Sequence, residues 1–205
     1  MKSLAFSALC FISVENFGQD FLMPVDSVYS VIGRGTMAIG VIERGIINTG
    51  DAVEIVGVSA RKLTSTINGV EMSQRLGNSG QAGDTVGLLL RQIDKTEIKR
   101  GMVICTPGSV TAHSKLKAQV HFLSKEETGN HAQFSNSSRL EFRFRTINIA
   151  GQIKLPTGVE LVTPGDNVSL EIELINKIAM EKGLRFIIRD GGRTVGSGEV
   201  KETLD

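Results

Sequence analysis

Residues that could do chemistry are few and scattered in this 205-residue chain. The histidines His113, His121 and His131 are not spaced as metal ligands, and Cys10 and Cys105 lie far apart without a CxxC motif. Structural positions on strands or loops are therefore expected for the histidines. Two distant cysteines do not make a disulfide framework, which indicates a reducing cytoplasm as the location. We predict no metal site and no catalytic residue.

Nucleotide chemistry has a sequence requirement that this chain does not meet. A phosphate-binding loop needs the pattern GxxxxGK[ST], in which backbone amides hold the phosphates and the lysine neutralises their charge. No stretch of the sequence has it. The run Asn176-Lys177-Ile178-Ala179 begins like the guanine-reading NKxD motif, but Ala179 stands where a carboxylate must accept hydrogen bonds from the base. The motifs GxSxG and HExxH are also absent from the sequence. The sequence predicts a protein that is not an enzyme.

The charge balance excludes a strongly basic surface. The chain carries 23 Lys and Arg against 22 Asp and Glu, a formal charge of +1, so any contact with nucleic acid must be local. Apolar residues make up 40% of the sequence, glycine occurs 23 times and tryptophan is absent. This composition favours a globular chain with many turns over one with long helices. The length suits either one large all-β domain or two barrels of about a hundred residues each.

Short strands are the elements that must position any site. Apolar runs at 28–32 and 52–56 flank a glycine-rich stretch at 33–51, and alternation is clearest at 140–146 and 168–174. Asn68-Gly69 predicts a hairpin turn. Residues 94–101 are predicted to form one helical or 3₁₀ turn, and residues 178–182 a turn of helix at most. No run has the helical period of 3.6 over three turns, so no long helix is predicted. The prediction is an all-β fold of two successive antiparallel β-barrels.

The predicted organisation has three parts. The proline and glycine of Thr106-Pro107-Gly108-Ser109 mark the boundary between barrels at 21–106 and 107–205. Residues 1–20 form an atypical N-terminal extension with an apolar run too short for a membrane helix and only a weak signal-peptide pattern. The remaining explanations are an extra strand, a linker, or sequence created by a truncated or displaced start. We favour the last of these.

Six motifs stand out in the two halves of the chain: FLMPV at 21–25, GVEM at 69–72 and VGLLLR at 86–91, then PGDN at 164–167, GLRF at 183–186 and RDGGRTVG at 189–196. Over residues 21–205 they closely resemble elongation factor Tu, a translation factor. The first three are similar to its second domain and the last three to its third domain. The chain is identified as a divergent, bacterial-type member of this family that has these two domains, with the GTPase domain missing.

The resemblance implies a translation-factor β-barrel followed by a Greek-key barrel. It also implies aminoacyl-tRNA and the ribosome as partners, with no role for a membrane. In the family, GTP and magnesium belong to the GTPase domain, so this chain alone would bind no cofactor and would not hydrolyse GTP. A GTPase domain or a nucleotide-exchange factor acting in trans is a further candidate partner.

The resemblance also assigns individual residues. Glu71 corresponds to the acid beside the terminal adenosine of the tRNA, and Arg100 to a basic contact near the 5′ end, where a guanidinium can fork onto phosphate. The positions implied for aminoacyl-tRNA binding are Asp26, Tyr29, Glu71, Arg100 and Gly191, and those of the ribosome-facing loop are Gly33 and Arg34.

Other RNA-facing positions differ from the family pattern. They are Ser27, Ile39, Ser73, Gln74, Thr85, Asn130, Glu141 and Ala150. Glu141 in particular places a negative charge where RNA phosphates would approach, which opposes binding. Two hypotheses remain: a fragment or paralogue that still binds aminoacyl-tRNA or the ribosome, and a degenerate module that binds proteins and little or no tRNA. A third reading, an incomplete gene product with no selected role, also stays open.

Overall fold

The computed structural model describes residues 20–57, 63–72, 75–128 and 133–205. These residues are almost entirely β-structure, which confirms the all-β prediction. Residues 1–19 of the predicted extension lie outside the described residues. Four single positions singled out from the sequence also lie outside them: Ser73, Gln74, Asn130 and His131.

The first half of the chain forms a curled sheet. Its strands are β1 (Leu22–Pro24), β2 (Ser27–Val31), β3 (Gly35–Val41), β4 (Ile46–Asn48), β5 (Ala52–Val56), β6 (Leu63–Met72), β7 (Arg75–Gly77), β8 (Ser79–Gln81), β9 (Thr85–Leu90) and β10 (Val103–Cys105). The main ladder runs β1-β10-β5-β6-β9-β3-β2, β7 pairs with β6, and β4 pairs with β8. The helical turn predicted within 94–101 is a 3₁₀ turn at Lys95–Glu97.

The two ends of this sheet meet, which gives it the shape of a barrel. A Cβ atom built on Gly40 of β3 would lie 2.1 Å from the carbonyl oxygen of Pro24 in β1. Only glycine permits backbones to approach so closely. The sheet therefore encloses one apolar core, in which Ile42, Ile67 and Leu88 are at most 1% exposed.

The second half of the chain is a closed six-stranded barrel. Its elements are β11 (Thr111–Phe122), α1 (Lys125–Thr128), β12 (Phe134–Ser135), β13 (Arg139–Phe144), β14 (Ile147–Lys154), β15 (Leu161–Val162), β16 (Asn167–Met180), β17 (Arg185–Asp190) and β18 (Arg193–Thr203). The barrel closes in the order β11-β16-β14-β13-β17-β18, and β12 pairs with β15 outside it. The prediction of two successive antiparallel barrels is confirmed.

Aromatic rings fill the core of the second barrel. Phe142 and Phe144 of β13 are at most 1% exposed, and both rings contact Phe186 of β17, with centroid distances of 6.0 and 4.9 Å. Phe122 stacks on Phe134 at 5.4 Å. Large buried rings contribute most of the apolar area that stabilises such a core. The alternation read from the sequence at 140–144 places these phenylalanines inside, as predicted.

Three local expectations are wrong. Asn68-Gly69 makes no turn, because β6 continues through both residues with an irregularity in register between Ile67 and Gly69. Residues 178–182, read as a turn of helix at most, contain none: 178–180 are the end of β16, which pairs with β11. The alternation at 140–146 predicts that Arg145 faces water, like Arg143, because Phe142 and Phe144 take the core side; instead Arg145 has a φ of +45° and a side chain only 7% exposed. In each case contacts with residues distant in sequence determine the structure, against the local pattern.

The two barrels pack against each other through an apolar patch and a cluster of charges. Leu22, Val103 and Cys105 of the first barrel contact Val110 and Ala179, and all five are at most 3% exposed. Burial raises the pKa of the Cys105 thiol, which makes it an unreactive core residue. The strands of the first sheet end at Cys105 and those of the barrel begin at Thr111. The predicted boundary falls in that interval, and the exact division into domains stays a prediction.

Ionic contacts complete the interface. Arg145 donates to both carboxylate oxygens of Glu43 at 3.0 and 2.9 Å, to Glu181 at 3.0 Å and to the backbone carbonyl of Ala179 at 3.1 Å. Arg44 donates to the two oxygens of Glu181 at 2.7 and 2.9 Å. Burial raises the pKa of Glu181, but the hydrogen bonds and charges of the two arginines outweigh it and hold the pKa below its usual value. We call Glu43, Arg44, Arg145 and Glu181 the interface charge cluster.

Candidate functional site

The positions that sequence resemblance assigns to the first barrel share one outer face of its sheet. In the paired strands β2, β3, β9 and β6, Ser27 lies opposite Ile39, Ile39 opposite Gly87, and Gly87 opposite Glu71. Side chains of directly opposed residues project to the same side of a sheet. The side chains of Ser27, Ile39 and Glu71 are partly exposed, as expected for an outer face. Residues that are distant in sequence are therefore brought into one row.

A second row on the same face lies beside the first. Tyr29 is opposite Met37, Met37 is opposite Leu89, and Leu89 is opposite Gly69. Met37 and Leu89 are buried at 8% and 5% exposure, whereas Tyr29 is 52% exposed. Thr85 falls on this face too, two residues before Gly87 on β9.

Two glycines shape this face: the Met37 thioether fills the space above Gly87, and a depression remains above Gly69. A Cβ atom on Gly87 would lie 2.8 Å from the sulfur of Met37 and 3.8 Å from the Cβ of Glu71. Gly69 has open space above it except for Arg34 and Leu89, each of which would lie 4.0 Å from a methyl group added there. The bottom of the depression therefore consists of backbone and apolar side chains, and polar side chains surround it. We call this depression the first-barrel pocket, bounded by Ser27, Tyr29, Ile39, Glu71 and Arg34.

Glu71 already has a cationic partner inside the chain. Arg34, in the turn between β2 and β3, donates from Nη1 to Glu71 Oε1 at 2.7 Å. The side chains are 42% and 28% exposed, so the pair lies in water-accessible space. The turn itself requires Gly33 and Gly35 at φ of +73° and +111°. The residues assigned to ribosome contact and to the terminal adenosine are thus in direct contact.

Asp26 and Arg100 form a second pair at the junction of the barrels. Arg100 Nη2 is 3.1 Å from Asp26 Oδ1, and its Nε donates to the carbonyl of Thr146 in the second barrel at 3.1 Å. Arg100 is 63% exposed, which leaves part of its guanidinium available to other groups. Asp26 therefore faces Arg100 and not Glu71, so the two acids assigned to the aminoacyl end lie in separate ion pairs.

The positions assigned to the second barrel form a different group. Ala150 is opposite Glu141 and Glu141 is opposite Arg189, with 3.6 Å between the Glu141 carboxylate and the Arg189 guanidinium. Arg189 also donates to the carbonyl of Gly192, which fixes the turn that contains Gly191 at φ of +53°. Glu141 is thus paired with a cation, which reduces the repulsion of phosphate expected from the sequence.

Within the described part of the chain, no three His, Cys, Asp or Glu residues form a group that could hold a metal ion. His113 lies between the Thr111 hydroxyl and the backbone carbonyl of Asp205, and His121 contacts Asn167. His121 thus links β11 to β16, and His113 links β11 to the C-terminal residue. Across the described residues, no helix is long and apolar enough to cross a bilayer.

Sequence reasoning missed the ion pairs and the long-range hydrogen bonds of this surface. Arg34 and Glu71 are 37 residues apart, and Arg100 and Thr146 are 46 apart. No local pattern joins such residues. Only the register of β6 and β9 and the packing of the barrels bring them together.

A curled sheet and a closed six-stranded barrel, joined by a buried apolar and ionic interface, define a tandem double-barrel protein. Residues 35–105 match the family model described as elongation factor Tu domain 2. Residues 109–204 match the one described as elongation factor Tu C-terminal domain. The chain belongs to the elongation factor Tu family and is an elongation-factor-like protein.

Proposed function

We propose that this protein acts in translation through its two barrels, which contact aminoacyl-tRNA and the ribosome, and that it does not hydrolyse GTP by itself. The first-barrel pocket would receive the aminoacyl end of the tRNA, with Tyr29 and Glu71 at its edge. Asp26 would lie toward the aminoacyl end, its partner Arg100 near the 5′ end, Gly191 at the T stem, and the Gly33-Arg34 turn toward the ribosome.

One observation carries the proposal: Ser27, Ile39 and Glu71 stand in a single row on the outer face of the first barrel. Beside the row, the open space above Gly69 leaves room for a ligand group, whereas the Met37 thioether fills the space above Gly87. Glu71 is a hydrogen-bond acceptor of the kind that a ribose hydroxyl needs. An exposed surface ion pair is worth about 0–1 kcal/mol, so Arg34 does not close the site to a ligand.

Binding of charged and uncharged tRNA tests this function. We expect filter binding at low salt to show tighter binding of aminoacyl-tRNA than of the same tRNA without its amino acid. Equal or negligible binding of both would refute the proposal.

A substitution at Glu71 sharpens the test. Glu71→Gln removes the charge that accepts from the ribose, and hydrogen bonds to charged groups contribute about 1.5–3 kcal/mol. We expect the affinity for aminoacyl-tRNA to fall by about tenfold or more. Glu160→Gln makes the same charge change in an exposed loop of the second barrel and should leave this affinity unchanged.

A second candidate function is that of a protein-binding module with little tRNA affinity. It is favoured by the side chains that differ from the family pattern within the pocket, Ser27 and Ile39, and at Thr85 beside it. Such a module should self-associate or recruit a partner. A monomer in sedimentation that captures no protein would count against it.

The main proposal also includes protein partners that act in trans. A separate GTPase domain or a nucleotide-exchange factor would supply the nucleotide chemistry, and we expect the protein to work in the cytoplasm without a bound cofactor. A GTPase assay on the purified chain should show no turnover. Turnover that follows the protein through purification and changes with substitutions in this chain would refute this part.

A further inference from the structure

A glycine directly follows an aspartate or an asparagine at two places in the chain. Asp190-Gly191 is the one Asp-Gly pair of the sequence and Asn68-Gly69 its one Asn-Gly pair, and both Asp190 and Asn68 are exposed. The main-chain nitrogen of glycine is less crowded than that of other residues, because glycine has no Cβ atom. Attack of this nitrogen on the carbonyl carbon of the preceding side chain closes a succinimide ring. The fold decides whether either pair can react in this way.

Asp190 and Gly191 lie at the tip of the hairpin that joins β17 to β18. Asp190 ends β17 and is opposite Arg193, which begins β18, so Gly191 and Gly192 are the two turn residues. Both glycines have a positive φ, +53° and +83°. Positive φ at both central residues is the mark of a type I′ turn, the usual two-residue connection of a hairpin. All four residues are exposed, so the turn is open to water and to other proteins.

The main-chain nitrogen of Gly191 is available for the attack. Gly191 lies between the strands, and its N–H donates no hydrogen bond to any of the described residues. A hydrogen-bonded N–H would first have to give up its acceptor, at a cost in free energy. A Cβ atom built on Gly191 would meet nothing within 4 Å, so the surroundings of the turn leave room for it to rearrange.

The carboxyl group of Asp190 is equally available. It has no ion pair and no hydrogen bond with any of the described residues. By contrast, three other turn aspartates each accept a hydrogen bond from the backbone N–H three residues earlier, at 2.7 to 2.9 Å: Asp51, Asp84 and Asp166. A carboxylate held toward the residues before it is held away from the nitrogen that follows it. Asp190 is therefore the aspartate whose side chain is free to meet the next nitrogen.

The fold protects the other pair, Asn68-Gly69. Gly69 is buried within β6 and is opposite Leu89 of β9. A Cβ atom built on Gly69 would lie 4.0 Å from Arg34 and from Leu89, so side chains cover it. Ring closure at Asn68 would rotate the backbone of β6 and separate paired strands. The folded chain therefore favours reaction at Asp190, although both pairs carry the same glycine.

We propose that Asp190 is a site of covalent modification, at which the folded protein converts aspartate to isoaspartate. The nitrogen of Gly191 attacks Cγ of Asp190, whose carboxyl group reacts in its protonated form. The hydroxyl of the carboxyl group and the proton of the nitrogen leave together as one water, and the new N–Cγ bond closes the succinimide ring.

Water then opens the ring in one of two directions. Addition at Cγ breaks the new N–Cγ bond and restores aspartate. Addition at the main-chain carbonyl carbon of Asp190 breaks its bond to the Gly191 nitrogen, so that the chain continues through Cγ and an α-carboxyl group is set free. One water leaves and one water enters, and the reaction needs no oxidant, reductant or cofactor.

The modified turn differs from the original in length and in charge position. Isoaspartate adds one carbon atom to the main chain, which a two-residue turn cannot absorb while Asp190 stays paired with Arg193. The hydrogen bond from Arg189 to the carbonyl of Gly192, at 2.6 Å, depends on the same turn. The exposed α-carboxyl group is the group that an isoaspartyl methyltransferase esterifies with the methyl group of S-adenosylmethionine. An enzyme of this class is the partner that the modified turn fits.

Peptide mapping of aged protein tests the proposal. The purified chain is kept folded in mildly acidic buffer for several weeks, then denatured and digested with an endoproteinase that cuts before aspartate but not before isoaspartate. We expect cleavage between Arg189 and Asp190 to be lost progressively, while cleavage before Asp84 and Asp166 stays complete. Incubation with an isoaspartyl methyltransferase and labelled S-adenosylmethionine should show methyl incorporation that rises as this cleavage is lost.

Two single variants locate the reaction. D190E keeps the charge of the turn but would have to close a larger ring, so methyl incorporation should be lost. N68Q removes the Asn-Gly pair and should incorporate methyl groups as the wild type does. Complete cleavage before Asp190 after ageing, or equal incorporation in D190E and the wild type, would overturn the proposal. Loss of incorporation in N68Q would also overturn it, because the reaction would then belong to Asn68.

The outcome is independent of the proposed function. Cleavage before Asp190 and methyl incorporation are measured on the purified chain without tRNA or ribosomes. Failure of aminoacyl-tRNA binding would leave the reaction at Asp190 unaffected, and an unreactive Asp190 would leave the first-barrel pocket unaffected.

Discussion

Removal of the Arg145 side chain is expected to destabilise the contact between the barrels more than any other single arginine change would. Its guanidinium is 7% exposed and bonds to Glu43, Glu181 and the carbonyl of Ala179. Arg145→Ala leaves that carbonyl without its donor and both carboxylates with less positive charge nearby. The φ of +45° is equally unfavourable for alanine, so the change in stability reports the lost contacts.

The size of the effect follows from how exposed the remaining groups are. Removing one member of a fully buried ion pair costs about 3–5 kcal/mol. Here Glu181 keeps Arg44 at 2.7 Å, and Glu43 is 39% exposed and can be solvated by water. These two facts reduce the expected loss of unfolding free energy to about 2–3 kcal/mol.

Urea unfolding followed by circular dichroism measures this loss. With a slope of about 3 kcal/mol per molar urea, the midpoint should fall by roughly 0.8 M. Arg139→Ala is the matched control, because Arg139 begins β13, the strand that Arg145 follows, and is exposed. It should change the free energy of unfolding by less than about 0.5 kcal/mol. A loss for Arg145→Ala no larger than that of Arg139→Ala would refute the role given to the interface charge cluster.

Two further predictions concern stability. Gly101→Ala should cost about 3 kcal/mol in urea unfolding, because φ is +91° and the new methyl group would lie 2.6 Å from Ile147 in the second barrel. Gly158→Ala, at φ of +89° with open space around it, should cost only about 1 kcal/mol, and equal costs would show that the contact with Ile147 is unimportant. Asp205 is expected to make the second barrel sensitive to acid: burial raises its pKa, but hydrogen bonds from Ser114 and from nearby lysine and backbone groups lower it well below its usual value. A carboxyl whose pKa is lower when folded stabilises above its unfolded pKa and loses that effect as pH falls. Thermal melting of Asp205→Asn should therefore depend less on pH below about 4 than that of the wild type, and parallel curves would contradict this.

The fold could be predicted because it depends on a repeat of two residues. A strand with one face in the core and one in water must alternate, and the sequence at 168–174 does so throughout. The structure places Leu170, Ile172 and Leu174 in the core and leaves Glu171 and Glu173 outside, in ion pairs with lysines. Alternation is a local property, so the sequence alone is sufficient to find it.

The failures have a common physical cause. Asn68-Gly69 is a good turn pair, but Gly69 pairs with Leu89 in a long ladder that contributes more than a two-residue turn can. Arg145 follows an alternating strand, yet its guanidinium enters the interface because Glu43 and Glu181 meet it there. Both outcomes depend on residues far away in sequence, and a local pattern contains no information about them.

At the candidate site, too, the contacts between residues distant in sequence could not be predicted. The sequence indicates which positions line the first-barrel pocket, but not that Glu71 and Asp26 each face an arginine of their own chain. Exposed pairs of this kind contribute about 0–1 kcal/mol, so a ligand with a hydroxyl or phosphate group can replace them at little cost. Ser27 and Ile39 differ from the family pattern, and a ligand cannot displace these side chains in this way. If the pocket receives the aminoacyl end as proposed, its affinity should therefore depend on Ser27 and Ile39 more than on the ion pairs.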